Sequence, residues 1–326
     1  MTAVPTAIGQ PRTGYVHTYS ATHPVVARVE VGQAVEVETV DAFGNALESE
    51  RDLPSHLRGY PYVNPQTGPV HIEGAKPGDT LVVRLQAIKP TRDHAVTALV
   101  EEFGLLTSTG TTATLQQPLP EQTRLLPIEP SPEVPRQVRL GPDLVVPWRP
   151  FLGTIGVAPL LEAPSSLTCG PWGGNLDLPD IGPGAEIHLA VHHPGALFFT
   201  GDAHACQGDG EITGVAGEIP ARVTMTFDLI PSGHRPAPAW PRILTDTEWI
   251  AVGCARPFED ACRIACRELV RWIAADTGLA EIDAYHLLGQ AVRLRPGNLV
   301  NPNYSVAAAI DRRLLPAPVA PTGTRP

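Results

Sequence analysis

The stretch GDAHACQGDGE, residues 201–211, brings Asp202, His204, Gln207, Asp209 and Glu211 together among glycines. Carboxylate, imidazole and amide groups at this density can hold a divalent ion or move a proton. In an extended segment residues i and i+2 point to the same side, so Asp202 and His204 can offer an oxygen and a nitrogen to one ion. That mixed donor pair suits zinc or another first-row divalent metal better than calcium, which takes oxygen ligands throughout. Glu211 lies beyond the turn QGDG, and if this turn folds back, Glu211 or Asp209 reaches the same pocket. The competing reading is a polar hairpin whose Asp and Gly serve only their own backbone.

A second polar element, CGPWGGNLDLPD at 169–180, repeats the i, i+2 spacing with Asn175 and Asp177. Gly173 and Gly174 precede them, and a double glycine lets backbone come close to a ligand. The two elements flank one predicted strand, 186–192, so both can converge at one end of a sheet. Asp41, in VETVDAFGNAL, ends an alternating strand where a turn begins and is a third candidate. His17, His192 and His193 read as surface or hydrogen-bonded core histidines. Cys169, in LTCGPWGG, is conceivable as a thiol nucleophile, but no neighbouring residue identifies its base. Gly208, Gly210 and Gly214 miss the G-x-G-x-x-G spacing, and neither a Walker loop nor a G-x-S-x-G elbow occurs.

The elements that must position these residues alternate with period two, the mark of strands buried on one face. RVTMTFDLI turns Val223, Met225, Phe227 and Leu229 inward, TLVVRLQAI turns Leu81, Val83 and Leu85, AVEVETV turns Val35, Val37 and Thr39, and EIHLAVHH turns Ile187, Leu189 and Val191. Glycine- and proline-containing turns separate them. This predicts a mainly β fold with a β-sandwich or barrel-like core. Near the C-terminus the period changes to helical: PFEDACRIACRELVRWIAADTG places Phe258, Ala261, Cys262, Ala265, Leu269 and Ile273 on one stripe, with Gly278 as the stop. A second helix over EIDAYHLLGQAV and a strand at AVRLRPGNLVN complete a C-terminal α+β portion. Residues 1–150 form an N-terminal β-rich part and 151–326 the motif-bearing part, the two intertwined in one catalytic unit. The proline-rich 105–150 region is the least patterned and reads as a long excursion between them.

Composition narrows the function classes. The net charge is -10 and no basic cluster is present to neutralise phosphates, which argues against nucleic acid as a partner. No apolar run is long enough to span a membrane. MTAVPTAIGQPRTGYVH lacks a basic segment followed by an apolar one, so a cytoplasmic location is expected. Five cysteines, odd in number and without zinc-ribbon spacing, fit a reduced compartment.

Taken together, GGNLD, HHPGALFFTGDAHACQGDGE and GEIPARVTMTF resemble the acetamidase/formamidase family, whose members carry G-G-N-x-D followed by G-D-x-H-A-x-Q-G-D-G-E. VETVDAFG is similar to the family's E-T-x-D-A stretch, NPQTGPVHIEGAKPGDTL to its N-P-x-T-G-P segment, and VNPNYSVAAAI to its V-(D/N)-P-N element. The resemblance implies a metal-assisted amidase of small aliphatic amides on a β-rich fold, usually a homo-oligomer. Cys206 stands where the family has a small residue, and ITGVAGE replaces C-G-T-A-x-E. On this reading Asp202 and His204, with Asp41 or Asp177, hold a divalent ion, zinc by preference. Glu211 is the general base with Asp209 behind it, while Gln207, Asn175 and Gly174 receive the amide. A thiol amidase using Cys169 and a non-catalytic metal- or ligand-binding β module are the alternatives.

Overall fold

In a computed structural model the described residues are 5–9, 11, 14–57, 62–106, 119–131 and 136–317. They form two large sheets of nine and eleven strands, both open rather than closed into a barrel. Each sheet draws strands from both sides of residue 150.

The centre of the nine-stranded sheet is the long antiparallel pair Thr80–Pro90 and Ala221–Ile230, flanked by Ala34–Thr39 and Glu186–Ala190. The alternation in sequence explains the packing. Val35, Val37, Leu81, Val83, Leu85, Ile187, Leu189, Val191, Val223, Met225 and Phe227 are all buried, and only Leu229 is half-exposed. They meet Val70, Ile72, Leu152, Ile155 and Phe198 of the other sheet in one apolar layer, with Phe198 edge-on to Phe227 at 5.0 Å between ring centroids. Burial of this layer is the dominant stabilising term, at about 25 cal/mol per Å² of apolar surface.

Helix α1 spans Phe258–Thr277 and α2 spans Glu281–Ala291. Gly278 ends α1 in the left-handed conformation at φ 75°, its N–H donating to the Ala274 carbonyl, which is the stop its position predicts. Ala261, Ala265, Leu269 and Ile273 bury the predicted stripe against the strands Glu248–Ala255 and Tyr304–Asp311. Gly253 permits the close approach, because a Cβ there would stand 2.1 Å from the Ala261 carbonyl oxygen. No helix among the described residues is long and apolar enough to cross a membrane.

The 105–150 region contributes the strands Gln122–Glu129, Gln137–Gly141 and Leu144–Pro147 to one side of the eleven-stranded sheet. Its segments 107–118 and 132–135 lie outside the described residues. At the middle of that sheet Gly173–Asn175, Phe151–Val157, Phe198–His204, Glu218–Ile219 and His94–Leu99 run side by side, and Gln66–Ile72 also pairs with Phe198–His204. The polar motifs meet on these strands.

Candidate active site

Register brings the side chains together. His204 is the cross-strand partner of Glu218, and Asn175 that of Thr154. Between the pairs Leu152–Ala203 and Thr154–Gly201 the ladder skips Gly153 and Asp202, and Asp202 adopts φ 56°. Asp202 Oδ1 and Glu218 Oε2 each lie 3.4 Å from His204 Nε2. Asp177 and Glu211 approach the same imidazole from other segments, so two triads, Asp202–His204–Glu218 and Asp177–His204–Glu211, share it. All five residues are buried. Gly153 is the floor: a Cβ there would stand 2.7 Å from Asp177 Oδ1, Asp202 Oδ2 and His204 Cε1.

The backbone is held in an unfavourable conformation around this cluster. Asp177, Asp202, Glu211 and the neighbouring Asn64 have φ of 50°, 56°, 47° and 60°, four of the eight non-glycine residues with positive φ among those described. Each such conformation costs on the order of 1–3 kcal/mol and persists only where the surroundings over-determine it. The surroundings here are a hydrogen-bond lattice. Asp177 Oδ2 accepts from the amides of Asn175 (2.8 Å), Asn298 (2.9 Å) and Asn301 (3.0 Å). Asn175 Oδ1 accepts from Asn64 (2.7 Å) and from the Thr154 hydroxyl (2.6 Å).

Gln207 sets the histidine. Its Nε2 donates to the carbonyls of Asp177 (2.8 Å) and Gly297 (3.0 Å), which can only accept, so Oε1 faces His204 Nδ1 at 3.0 Å and takes its proton in a hydrogen bond. Nδ1 is thereby committed as donor, and Nε2 is the nitrogen turned to the carboxylates. Phe151 holds the ring edge-on, with centroids 4.8 Å apart.

Charge is concentrated with no lysine or arginine in either triad. Burial, reinforced by neighbouring carboxylates, pushes the carboxyls of Asp177 and Glu211 well above the usual range and that of Glu218 up to about 7. Burial alone lowers the pKa of His204, but Glu218 and Asp202 outweigh it and hold the imidazole well above its ordinary value. Even so, His204 Nε2, Glu218 Oε2 and Asp177 Oδ1 are buried atoms with no hydrogen-bond partner. Ligand atoms about 2.0–2.1 Å from a tetrahedral ion stand about 3.3–3.4 Å from one another, which is the spacing of Asp202 Oδ1 and Glu218 Oε2 from His204 Nε2. Unpartnered atoms, spacing and an N/O donor set therefore fit a divalent ion of the zinc class.

The sequence-predicted residues separate into those inside and outside this cluster. Asp202, His204, Asp177 and Glu211 are brought together, and the 208–211 turn folds back by pairing Gly210 with Asn298. Asp41 is not among them. Its carboxylate accepts from the backbone N–H of Phe43 and Asn45 and pairs with Arg92 at 2.7 Å, so an arginine already satisfies the charge proposed for an ion. Asp209 is exposed at the tip of its turn, away from the base position. Gln207, expected to receive the amide, turns its side chain to His204 Nδ1 and the carbonyls of Asp177 and Gly297. Gly174 is required by packing, since a Cβ there would meet the Thr168 carbonyl oxygen at 2.3 Å; Asn175 does reach the cleft.

Cys169 is fully buried, its Sγ 3.7 Å from the Asn303 carbonyl oxygen, and burial pushes its thiol well up, which removes the thiolate a nucleophile needs. Cys206 is half-buried and likewise pushed up to about 11. The sequence reading missed Glu218, Asn64 and Gly153. A signal for Glu218 exists in GEIPARV: pairing this segment antiparallel to the GDAH strand brings a carboxylate opposite His204.

A cleft of about 290 Å³ opens onto Asn64, Asn175, Asp202, Glu211, Glu218 and Asn301. A chain that builds such a centre from these motifs has recognisable relatives. The Acetamidase/Formamidase family pattern matches residues 14–168 and 166–314. The crystal structure of an acetamidase from Yersinia enterocolitica superposes with a TM-score of 0.90 at 39% identity, over 96% of this chain and 94% of that one. An acetamidase structure from Bacillus halodurans gives 0.84 at 29% identity, over 94% and 97%. A Schizosaccharomyces pombe protein with a provisional formamidase name is 23% identical over 257 residues, and the match spans 64% of this chain but only 62% of that relative. With both halves of the fold and the whole polar cluster inside the matched residues, the chain belongs to the acetamidase/formamidase family.

Proposed function

We propose that this protein, a family member of the hydrolases acting on amide C–N bonds, cleaves a small carboxamide to carboxylate and ammonia with the help of a divalent metal ion. The observation that carries the reading is the buried cluster of Asp177, Asp202, Glu211 and Glu218 around one histidine, with no lysine or arginine in either triad and atoms left unpartnered. Asp202, His204 and Glu218 would hold the ion, with Asp177 beside them. Such an ion, when bound, supplies Lewis-acid polarisation of a carbonyl and acidifies water near neutral pH.

The chain's own residues do the rest. Glu211 lies in the cleft wall, buried and with its proton affinity raised, as suits a group that takes a proton from water and passes it to the leaving nitrogen. Oxygen from water bonds to the carbonyl carbon, the C–N bond breaks, and the nitrogen leaves as ammonia. Asn64, Asn175 and Asn301 line the same cleft, and the amides of Asn175 and Asn301 hold the Asp177 carboxylate in place. Gln207 keeps His204 Nε2 directed at the carboxylates.

Ammonia release from an amide panel, measured before and after chelation and on zinc replacement, tests the reading. Chelation should remove activity and zinc restore it, and His204→Ala should lose both bound metal and about a thousandfold in rate, the equivalent of several kcal/mol. Full turnover by metal-free His204→Ala would overturn it.

A further inference from the structure

We propose that the preferred substrate carries an uncharged, bulky apolar acyl group, branched or aromatic, in place of the hydrogen or methyl of formamide and acetamide. The proposal rests on the amide reading above and deepens it. The cleft of about 290 Å³ leads to Asp202, Glu211 and Glu218, and its apolar walls are Phe43, Val63, Val100, Phe103, Leu167 and Val215. One water-sized group takes about 10–15 Å³ of such a volume, so the cleft is far larger than the acyl group of acetamide fills. An acyl group that fills it trades water for apolar contact.

These walls are built into the fold. Phe43 is carried by the turn that Asp41 caps, with the Phe43 N–H donating to Asp41 Oδ1 at 3.0 Å, and Arg92 ties Asp41 to the Glu218 carbonyl. Phe103 is held by a backbone pairing with Val100 and packs where a Cβ on Gly214 would stand 2.6 Å from its ring. Charge sets the second half of the specificity. Glu101 and Glu102 are exposed at the cleft, and its described lining includes no lysine or arginine. An acyl chain ending in a carboxylate would face Glu101, Glu102, Glu211 and Glu218 with no countercharge, whereas a neutral one meets only apolar wall.

The test uses the zinc-loaded chain of 326 residues and five amides: formamide, acetamide, 4-methylpentanamide, phenylacetamide and succinamate. The kcat/KM for phenylacetamide and 4-methylpentanamide should exceed that for acetamide by on the order of 100-fold or more, the effect of just two methylenes at about tenfold each in an apolar pocket. Succinamate should fall below 4-methylpentanamide by a similar factor. Val215→Phe, or Val63→Phe on another part of the wall, should reverse the ranking of phenylacetamide and acetamide. Acetamide or formamide as the best substrate, or succinamate equal to its neutral counterpart, would overturn this assignment and leave amide hydrolysis standing. Ammonia from none of the five would strike the functional reading instead. Calorimetry on the chelated chain then decides the cleft on its own: saturable phenylacetamide binding tighter than acetamide supports it, and no binding overturns it.

Discussion

Buried carboxylates occur in two settings in this protein. In the helical region Glu268 of α1 is paired with Arg242 at 2.7 Å and Asp276 with Arg235, while in turns between strands Asp41 has Arg92 and Asp180 has Arg295. Asp79 is held by the backbone N–H groups of Lys76 and Ser232. The remaining four, Asp177, Asp202, Glu211 and Glu218, crowd around His204 with no such cation. Of the five acids outside this cluster, four therefore have an arginine and the fifth has backbone donors. In the cluster, where backbone strain is also concentrated, no arginine is present, and a divalent ion bound there would supply the missing countercharge.

Removing countercharge from the first setting should have the largest effect on stability. Arg242→Ala strands Glu268 and should cost about 3–5 kcal/mol in denaturant unfolding, with the metal content of the folded protein unchanged. Loss of metal in that variant would mean that the two settings are not independent. Gln207→Leu attacks the second setting through the histidine. It frees Nδ1 and should weaken zinc binding about 10–100-fold with little change in the unfolding midpoint of the chelated protein, as read by competition with a chromogenic chelator.

Smaller still, Glu218→Gln should stabilise the chelated protein, on the order of 1 kcal/mol, by relieving repulsion while it removes activity. The pH dependence follows the same logic. The folded-state pKa of Glu218 is raised from 4.5 to about 7, so the ion-free fold binds this proton more tightly than the unfolded chain does. That contribution is complete below pH 4.5 and is lost as pH rises through about 7. Thermal scans of chelated protein should therefore show a declining Tm across this window, flatter in Glu218→Gln, with zinc restoring stability at the upper end. An ion-free Tm that climbs through pH 7 would contradict the crowding of carboxylates. The least effect is expected from iodoacetamide, which at pH 7 should leave activity intact because burial raises both the Cys169 and Cys206 thiols.

How much of this was legible without coordinates differs between the same two regions. The helical region obeys local rules throughout: the stripe of Ala261, Ala265, Leu269 and Ile273, the glycine stop and the second helix are each consequences of a period of 3.6 residues. The alternating strands were legible for the same reason. Half of the site was legible too, because Asp202, His204, Asp177 and Glu211 lie within short motifs of unusual polarity. Asp41 and Asp209 were assigned to the site by proximity to a motif or a turn, a cue that does not report what else a carboxylate meets. Arg92 and solvent, respectively, took them.

The amino-acid sequence by itself determined the mainly β class, the two C-terminal helices, the family and the residue types of the centre, because all of these reside in local periodicity and compact motifs. Only the tertiary structure decided that Glu218 joins His204, that Gln207 fixes the imidazole, that Gly153 leaves the space between them and that Phe43 and Phe103 shape the cleft. Those facts depend on which strands become neighbours and in what register, on contacts between segments as far apart as residues 43 and 215. Side chains brought together by strand pairing have no common period to reveal them, and the energies that choose the pairing are summed over the whole apolar layer.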